Sequence, residues 1–283
     1  MNAVKTGFIS DLHIDINEAY PIMDLLAQEC RYRQLEMLLI AGDISETPAK
    51  TISAIRALQE KLADTSCRVY YVPGNHDMWN INCPEKDTDE IESAYEQDPL
   101  CLSGGKVVRA GRCVVIGDIG WYDYSFADPE YDREKLDSME HLGRTWQDKF
   151  YNSWTKDNPA AMRKSLDRLR GSLETAGSVY GADAPVIAVT HMLPIREFTV
   201  LDAAKEWAFF NSFLGGTALA DLFLKYPVRI SVSGHVHYRK QLEKDGILWI
   251  CPCLGYHSEW PLYKLKDNDA KTHIADALQV LDL

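Results

Sequence analysis

The chain has 283 residues, of which 46% are hydrophobic and 25% charged, and this composition excludes disordered, collagen-like and small disulfide-rich proteins. Its 42 acidic and 30 basic residues give a formal net charge of −12, which disfavours sequence-independent binding to nucleic acid. The longest apolar run, Ile247–Leu254, is far shorter than the about 20 residues of a membrane-spanning helix.

Two kinds of segment alternate along the chain. Short β-branched or aliphatic runs predict buried strands at Thr6–Ser10, Met37–Ala41, Arg68–Val72, Val114–Gly117, Val186–Thr190, Arg229–Ser233 and Ile247–Cys251. Apolar residues at three- and four-residue spacing predict helices at Glu18–Glu36, Pro48–Ala63, Asp87–Glu96, Ala160–Ala176 and Thr217–Lys225. The alternation predicts an α/β fold, and we expect a single domain over residues 1–283.

The segment 121–158 interrupts this alternation. It has no clear strand pattern, but it is rich in aromatic residues: Trp121, Tyr122, Tyr124, Phe126, Tyr131, Trp146, Phe150, Tyr151 and Trp154. So many aromatic side chains are unusual in a plain loop. We predict either a cap-like insertion or a secondary packing cluster beneath a surface excursion.

Polar side chains follow five of the predicted strands, near the residue at which each strand ends. In chain order they are Asp11-Leu12-His13, Gly42-Asp43, Gly74-Asn75-His76-Asp77, Thr190-His191 and Gly234-His235-Val236-His237. Most of these runs, taken alone, are compatible with a turn, a helix cap or a structural histidine. Because open α/β sheets place ligands at the carboxyl ends of their strands, we expect the five groups to converge.

The converging groups supply nitrogen and oxygen ligands without a thiolate. This set suits Mn²⁺, iron (Fe²⁺ or Fe³⁺) or Zn²⁺ rather than a cysteine-rich structural zinc site. Seven groups are too many for one ion, which predicts two ions that share a carboxylate. The run Cys251-Pro252-Cys253 with His257 lacks a second cysteine pair, so we interpret it as a packed strand.

The order of these motifs resembles that of the calcineurin-like metallophosphoesterases, from Asp11 to His237 with no motif missing. The segment 117–126 is similar to one found in a bacterial branch of these phosphoesterases. The resemblance implies a four-layer αββα sandwich of two mixed sheets with the metals at the strand ends. It implies a first metal site of Asp11, His13 and His237, a second of Asn75, His191 and His235, and Asp43 as the bridge.

The resemblance further implies a hydrolase that cleaves a phosphodiester or phosphomonoester, with nucleotides among the candidates. A metal-bridging hydroxide would attack phosphorus, His76 would donate a proton or stabilise the transition state, and Asp77 would fix the His76 tautomer. Candidate substrate contacts are Trp121, Arg196, Tyr256 and His257.

Two alternatives remain open from the residues alone. A nuclease of the same family is disfavoured by the net charge of −12 and the lack of a basic stripe. A non-catalytic scaffold that binds a protein partner would have no need of His76 beside the metals. The odd number of cysteines, 7, and the lack of a signal-peptide pattern favour reduced thiols and a cytoplasmic location without membrane contact.

Overall fold

The computed structural model describes residues 3–200 and 205–283. Its strands are β1 (Lys5–Ile9), β2 (Met37–Ala41), β3 (Arg68–Val72), β4 (Val107–Ala110), β5 (Cys113–Gly117), β6 (Glu140–His141), β7 (Arg144–Thr145), β8 (Val186–Val189), β9 (Val228–Val232), β10 (Arg239–Lys244), β11 (Ile247–Pro252) and β12 (Gln279–Asp282). Its helices are α1 (Ile22–Tyr32), α2 (Pro48–Lys61), α3 (Thr88–Gln97), α4 (Arg133–Ser138), α5 (Asp148–Tyr151), α6 (Asn158–Tyr180), α7 (Lys205–Phe210), α8 (Thr217–Phe223) and α9 (Ala270–Ala277).

The strands form two mixed sheets and one short hairpin. The first sheet has the order β12-β1-β2-β3, in which β1, β2 and β3 are parallel and β12 is antiparallel at the edge. The second has the order β10-β11-β9-β8-β5-β4, with a parallel centre and antiparallel edge strands β10 and β4. Among the residues that the structure describes, strands β6 and β7 pair only with each other.

The two sheets pack face to face because alternate residues of their strands are apolar on the facing side. Members of both sheets share one buried cluster: Phe8, Leu39, Val72, Val115, Ile187, Val232 and Ile250. The intervening residues Leu38 and Ile40 belong to a second cluster with Leu26 of α1 and Ile55 of α2. On the other side of the molecule, α6 packs against β5 and α8. The four-layer αββα architecture is confirmed.

All seven predicted strands are present, each within one residue of its expected ends. The first helix is shorter than predicted, because it begins after Pro21 and ends before Gln34, whose φ of 57° is incompatible with a continuing helix. Edge strands β4, β10 and β12 escaped prediction, since their partly exposed residues carry no continuous apolar run. Helix α9 was not predicted either.

Residues 121–158 contribute to the core and also reach a large cavity. Trp121, Tyr122 and Phe126 are at most 1% exposed. Trp146 packs against Phe213, with 5.6 Å between the ring centroids. Residues 145–148 line the cavity described below. That this segment acts as a cap over the site stays a prediction.

No helix in the described ranges is both long and apolar enough to span a membrane.

A buried charge network joins α6 to the end of β5 and to α3. The Arg168 guanidinium donates two hydrogen bonds to Asp118, at 2.7 and 2.8 Å, and also binds Glu92. The three side chains are 16%, 1% and 2% exposed, respectively. Removal of the guanidinium would leave the buried Asp118 carboxylate without its cation and Glu92 with Lys164 alone.

We therefore expect Arg168→Met to lower the free energy of unfolding by about 3–5 kcal/mol, the cost typical of breaking a buried ion pair on one side. Urea denaturation measures the change. Arg170→Met is the matched control two residues away, because Arg170 and its partner Asp167 are 47% and 73% exposed. The control should lose less than about 1 kcal/mol. Equal losses in the two variants would contradict the structural role of this network.

Candidate metal centre

Two clusters of ligand-type side chains lie at the carboxyl ends of the strands, at one edge of the sandwich. The first contains Asp11, His13, Asp43 and His237, and the second contains Asp43, His191 and His235. Within each cluster the ligand atoms lie within 4.8 Å of one another. The Asn75 Oδ1 atom joins the second cluster, 3.1 Å from His191 Nε2. All seven side chains that the motifs singled out as metal ligands are therefore brought together.

The side chain of Asp43 lies between the two clusters and presents one oxygen to each. Its Oδ2 atom lies 3.6 Å from His13 Nε2 in the first cluster. Its Oδ1 atom lies 3.4 Å from His191 Nε2 in the second. This division of the two oxygens is the geometry expected of a carboxylate that bridges two cations.

The two clusters are closely spaced on either side of that carboxylate. In the first, His237 Nε2 lies 3.6 Å from Asp11 Oδ1 and 3.0 Å from His13 Nε2. In the second, His191 Nε2 lies 3.1 Å from His235 Nδ1. These distances bring several lone pairs towards two common points.

Hydrogen bonds on the outer side of three imidazoles decide which nitrogen faces inward. His191 Nδ1 donates to the Ala41 carbonyl at 2.9 Å, and His235 Nε2 donates to the Phe213 carbonyl at 3.2 Å. His237 Nδ1 pairs with Glu259 Oε2 at 2.8 Å. In the neutral form of each ring, protonation of the outer nitrogen leaves a lone pair on the inner nitrogen. Inward lone pairs so close together repel unless a cation lies between them, and the donor set therefore fits divalent metal ions.

The electrostatics favour the neutral ring at two of the four histidines and a positive charge beside Asp43. Burial lowers the pKa of His13 and of His235 well below the ordinary value, which favours the neutral ring that a metal ligand needs. Burial also acts to lower the pKa of His191, but the charge of Asp43 raises it to about 10. In return, His191 and the neighbouring imidazoles hold the pKa of Asp43 well below its usual range despite burial. A positive charge is thus favoured next to the Asp43 carboxylate.

The ligand-bearing loops adopt an uncommon backbone conformation. Five candidate ligands have a positive φ: Asp11 (56°), His13 (41°), Asp43 (51°), His235 (75°) and His237 (53°). This left-handed region is costly for residues other than glycine and is concentrated at functional sites. Glycines permit close approach nearby, since a Cβ atom at Gly74 would lie 2.1 Å from Asp43 Oδ1 and one at Gly234 would lie 2.6 Å from Asp11 Oδ2.

His76 and Asp77 occupy different environments. The His76 ring lines a cavity beside the clusters and stacks on Trp79, with 3.7 Å between ring centroids. The Asp77 carboxylate accepts hydrogen bonds from the backbone of Ser45 (2.9 Å) and Gly74 (2.8 Å) and from Thr51 Oγ1 (2.6 Å). These two consecutive side chains point in different directions. His76 faces the cavity, whereas Asp77 holds together the loops after β2 and β3. Among the described contacts, no hydrogen bond joins the Asp77 carboxylate to the His76 ring. That Asp77 sets the His76 tautomer stays a prediction.

A cavity of about 800 Å³ opens over both clusters. Its aromatic lining residues are Trp79, Trp146, Trp207, Tyr238, Tyr256 and Tyr263. Its acidic lining residues are Asp43, Glu46, Asp148 and Glu259. The described lining includes neither lysine nor arginine. The described part of the cavity wall is therefore aromatic and acidic, and metal ions bound at the two clusters would supply positive charge there.

Of the four candidate substrate contacts, Tyr256 lies at the cavity, with its ring centroid 4.6 Å from that of His13. The structure places the other three outside the described cavity lining. Arg196 donates to the backbone carbonyls of Ser125 (2.7 Å) and Phe126 (3.0 Å). Trp121 is fully buried in the core. His257 lies against Asn17, whose Oδ1 atom accepts a hydrogen bond from the His257 backbone at 2.8 Å.

Sequence reasoning missed two carboxylates at this site. Glu259 pairs with His237, and Asp148 accepts a hydrogen bond from the Asn75 amide at 2.9 Å. Glu259 stands in the stretch after β11, which the sequence already directs towards this edge of the sheet. Asp148 belongs to no recognisable motif.

Known proteins resemble this chain over a region that contains both clusters. The family model of calcineurin-like phosphoesterases matches residues 4–239. The chain is 25% identical over 277 residues to the [acyl-carrier-protein] phosphodiesterase PptH of Mycobacterium tuberculosis, covering 89% of this chain and 78% of that protein. It is 21% identical over 264 residues to an uncharacterised protein of Acanthamoeba polyphaga mimivirus, covering 89% and 91% of the two chains.

Among solved structures, the crystal structure of phosphopantetheinyl hydrolase from Mycobacterium tuberculosis has the same fold. The TM-score is 0.75 at 22% sequence identity, and the match covers 99% of this chain and 97% of the other.

We expect metal-free wild-type protein to bind two equivalents of Mn²⁺, and Asp43→Asn to lose affinity at both positions, because the Asp43 carboxylate faces both clusters. Calorimetric titration and elemental analysis measure affinity and stoichiometry. Asp64→Asn is the control, since Asp64 is 70% exposed and pairs with Arg31 on the surface. Wild-type binding of two ions by Asp43→Asn would refute the bridging assignment.

Proposed function

The chain belongs to the calcineurin-like phosphoesterase family and is a hydrolase of phosphoester bonds, and on this basis we propose that it cleaves phosphodiesters in preference to phosphomonoesters. One observation carries the proposal: the cavity at the metal centre is aromatic and acidic, without a lysine or arginine in its described lining. The alternative of a non-catalytic scaffold does not explain why a chain of this enzyme family has retained the side chains of a metal centre.

Charge favours the diester. A phosphomonoester carries a charge of about −1.5 to −2 at neutral pH, whereas a phosphodiester carries one negative charge. Metal ions bound at the centre would offset that charge, and among the described lining residues Glu46 and Glu259 would oppose any excess. The same reasoning disfavours nucleoside polyphosphates and oligonucleotides, which need cationic side chains along their other phosphates.

The shape of the cavity supports a substrate with a sizeable uncharged group. Its volume of about 800 Å³ lies within the range of small-molecule sites. Trp146, Trp207 and Tyr263 offer apolar faces with polar edges, which suit an arm of methylene and amide groups. The relative in Mycobacterium tuberculosis is named for phosphodiester cleavage on an acyl-carrier protein. We propose a substrate of that class, a phosphodiester that carries a long neutral arm.

The chain's own residues divide the work at the proposed centre. Asp11, His13 and His237 would hold one ion, Asn75, His191 and His235 the other, and Asp43 both. Divalent ions bound there would lower the pKa of water and withdraw charge from the phosphoryl oxygens.

The His76 imidazole faces the cavity, and its stacking on Trp79 restricts its orientation. We propose that it donates a proton to the oxygen that leaves phosphorus. Trp79 and Tyr256 would exclude water around that oxygen.

We expect Mn²⁺-supplemented enzyme to hydrolyse bis-p-nitrophenyl phosphate with a kcat/KM at least about 10-fold above that for p-nitrophenyl phosphate, because the acidic cavity penalises the extra charge. Chelator treatment should abolish both activities. A phosphopantetheinylated carrier protein is the test substrate with a long neutral arm, and the unmodified carrier protein is its control. A faster monoesterase reaction would overturn the proposed preference.

We expect His76→Ala to bind two metal ions and to lose about 10²–10⁴-fold in kcat, the range for a lost general acid. Steady-state kinetics and metal analysis on the same preparation measure the two quantities. His141→Ala is the control, because His141 stacks on Phe209 with 4.8 Å between ring centroids and does not line the cavity. Undiminished kcat in His76→Ala would remove the proposed proton-transfer role.

A further inference from the structure

A buried carboxylate from the aromatic segment reaches the metal centre. Asp148 is the first residue of α5, and it is 1% exposed. Its Oδ1 atom accepts hydrogen bonds from Asn75 Nδ2 at 2.9 Å and Trp79 Nε1 at 2.7 Å. Its Oδ2 atom accepts from Trp146 Nε1 at 2.9 Å and from the Tyr122 hydroxyl at 3.3 Å. Four neutral donors thus converge on one carboxylate.

The first consequence concerns the Asn75 amide. An amide group has one oxygen and one nitrogen end of nearly equal size, but only the oxygen can bind a cation. Because Asp148 accepts from the nitrogen end, the oxygen end turns towards His191 Nε2, 3.1 Å away. Asp148 therefore selects the orientation in which Asn75 can serve the second cluster.

The second consequence concerns His76. The same Oδ1 atom holds the Trp79 indole, and the His76 ring lies on that indole with an interplanar angle of 28°. Trp146, held by the other oxygen, forms part of the cavity wall, and its ring centroid lies 5.7 Å from that of His235. One carboxylate thus contacts a candidate metal ligand, the support of the candidate acid and the cavity wall.

We propose that Asp148 is a positioning residue that links the segment 121–158 to the metal centre, orienting Asn75 towards the second ion and Trp79 beneath His76. The inference rests on the proposed two-metal function and deepens it. An asparagine at this position would have nearly the same volume, but its NH₂ group would face N–H or O–H donors where an acceptor is needed. Asp148→Asn is therefore a minimal test.

We expect Asp148→Asn to raise the dissociation constant of one of the two Mn²⁺ ions by about 10–100-fold, the range for residues that orient metal ligands, while the other ion binds as in wild type. Calorimetric titration of metal-free protein measures this. In the metal-free protein, the indole N–H signals of Trp79 and Trp146 should also move upfield in ¹⁵N-correlated spectra, because they lose a charged acceptor. Both readouts are independent of any ester substrate, so they can fail separately from the proposed diesterase activity.

The control is Asp137→Asn in the same segment. Asp137 accepts from Tyr124 and Arg133 and does not line the cavity, so this variant should bind both ions as wild type does. In an Asn75→Ala background, Asp148→Asn should cause no further loss of metal affinity, since the ligand that it orients is gone. Wild-type affinity for both ions in Asp148→Asn, or full additivity with Asn75→Ala, would overturn the proposal.

Trp79→Phe tests the second part and keeps the proposal falsifiable if Asp148→Asn fails to fold. It removes one donor to Asp148 and leaves the Asn75 contact, so both ions should bind. We expect kcat to fall about 10-fold or more with KM little changed, because the His76 ring loses its fixed support. Wild-type kcat in Trp79→Phe would refute the positioning of His76 through this indole.

Discussion

The rest of the centre depends on the contacts that the side chain and the backbone of Asp43 make. Besides facing both clusters, the Asp43 carboxylate accepts a hydrogen bond from the backbone N–H of His76 at 3.0 Å. The backbone carbonyl of Asp43 accepts one from the backbone N–H of His13 at 2.9 Å. The loops after β1, β2 and β3 are therefore tied together at one residue. The second sheet joins them through His191, which donates to Ala41 at the end of β2. The metal centre is therefore one of the places at which the two sheets are connected, beside the bridge between Ser10 and Cys253.

The buried sheets make the strained loops possible. Left-handed backbone at five non-glycine positions is unfavourable by itself, and it persists only where the surroundings leave no alternative. Parallel strands with fully buried residues, such as β2, supply that rigidity. The Asp77 carboxylate adds to this rigidity, because it accepts hydrogen bonds from backbone N–H groups of the loops after β2 and β3. The motif suggests a catalytic role for Asp77, whereas the contacts of its carboxylate stabilise the loops.

The parts of the molecule that could be predicted from sequence are those determined by local chemistry. Buried strands are continuous apolar runs, and the motif residues immediately follow them, so their convergence follows from the direction of the strands. Asp148 could not be found in this way, because its contact with Asn75 joins residues 73 positions apart through tertiary packing. Arg196 shows the converse: it stands five residues after His191 in sequence, yet its guanidinium turns to the carbonyls of Ser125 and Phe126.

The acidic lining of the cavity has a consequence for the end of the catalytic cycle. If the substrate is the proposed diester, hydrolysis would turn a singly charged phosphate into a monoester with a second ionisable oxygen and a charge near −2. Glu46 and Glu259, which line the cavity, would then face a more negative group than the one that entered. Their repulsion would weaken the binding of the product, so that electrostatics would favour its release and limit occupation of the site by phosphate-bearing products.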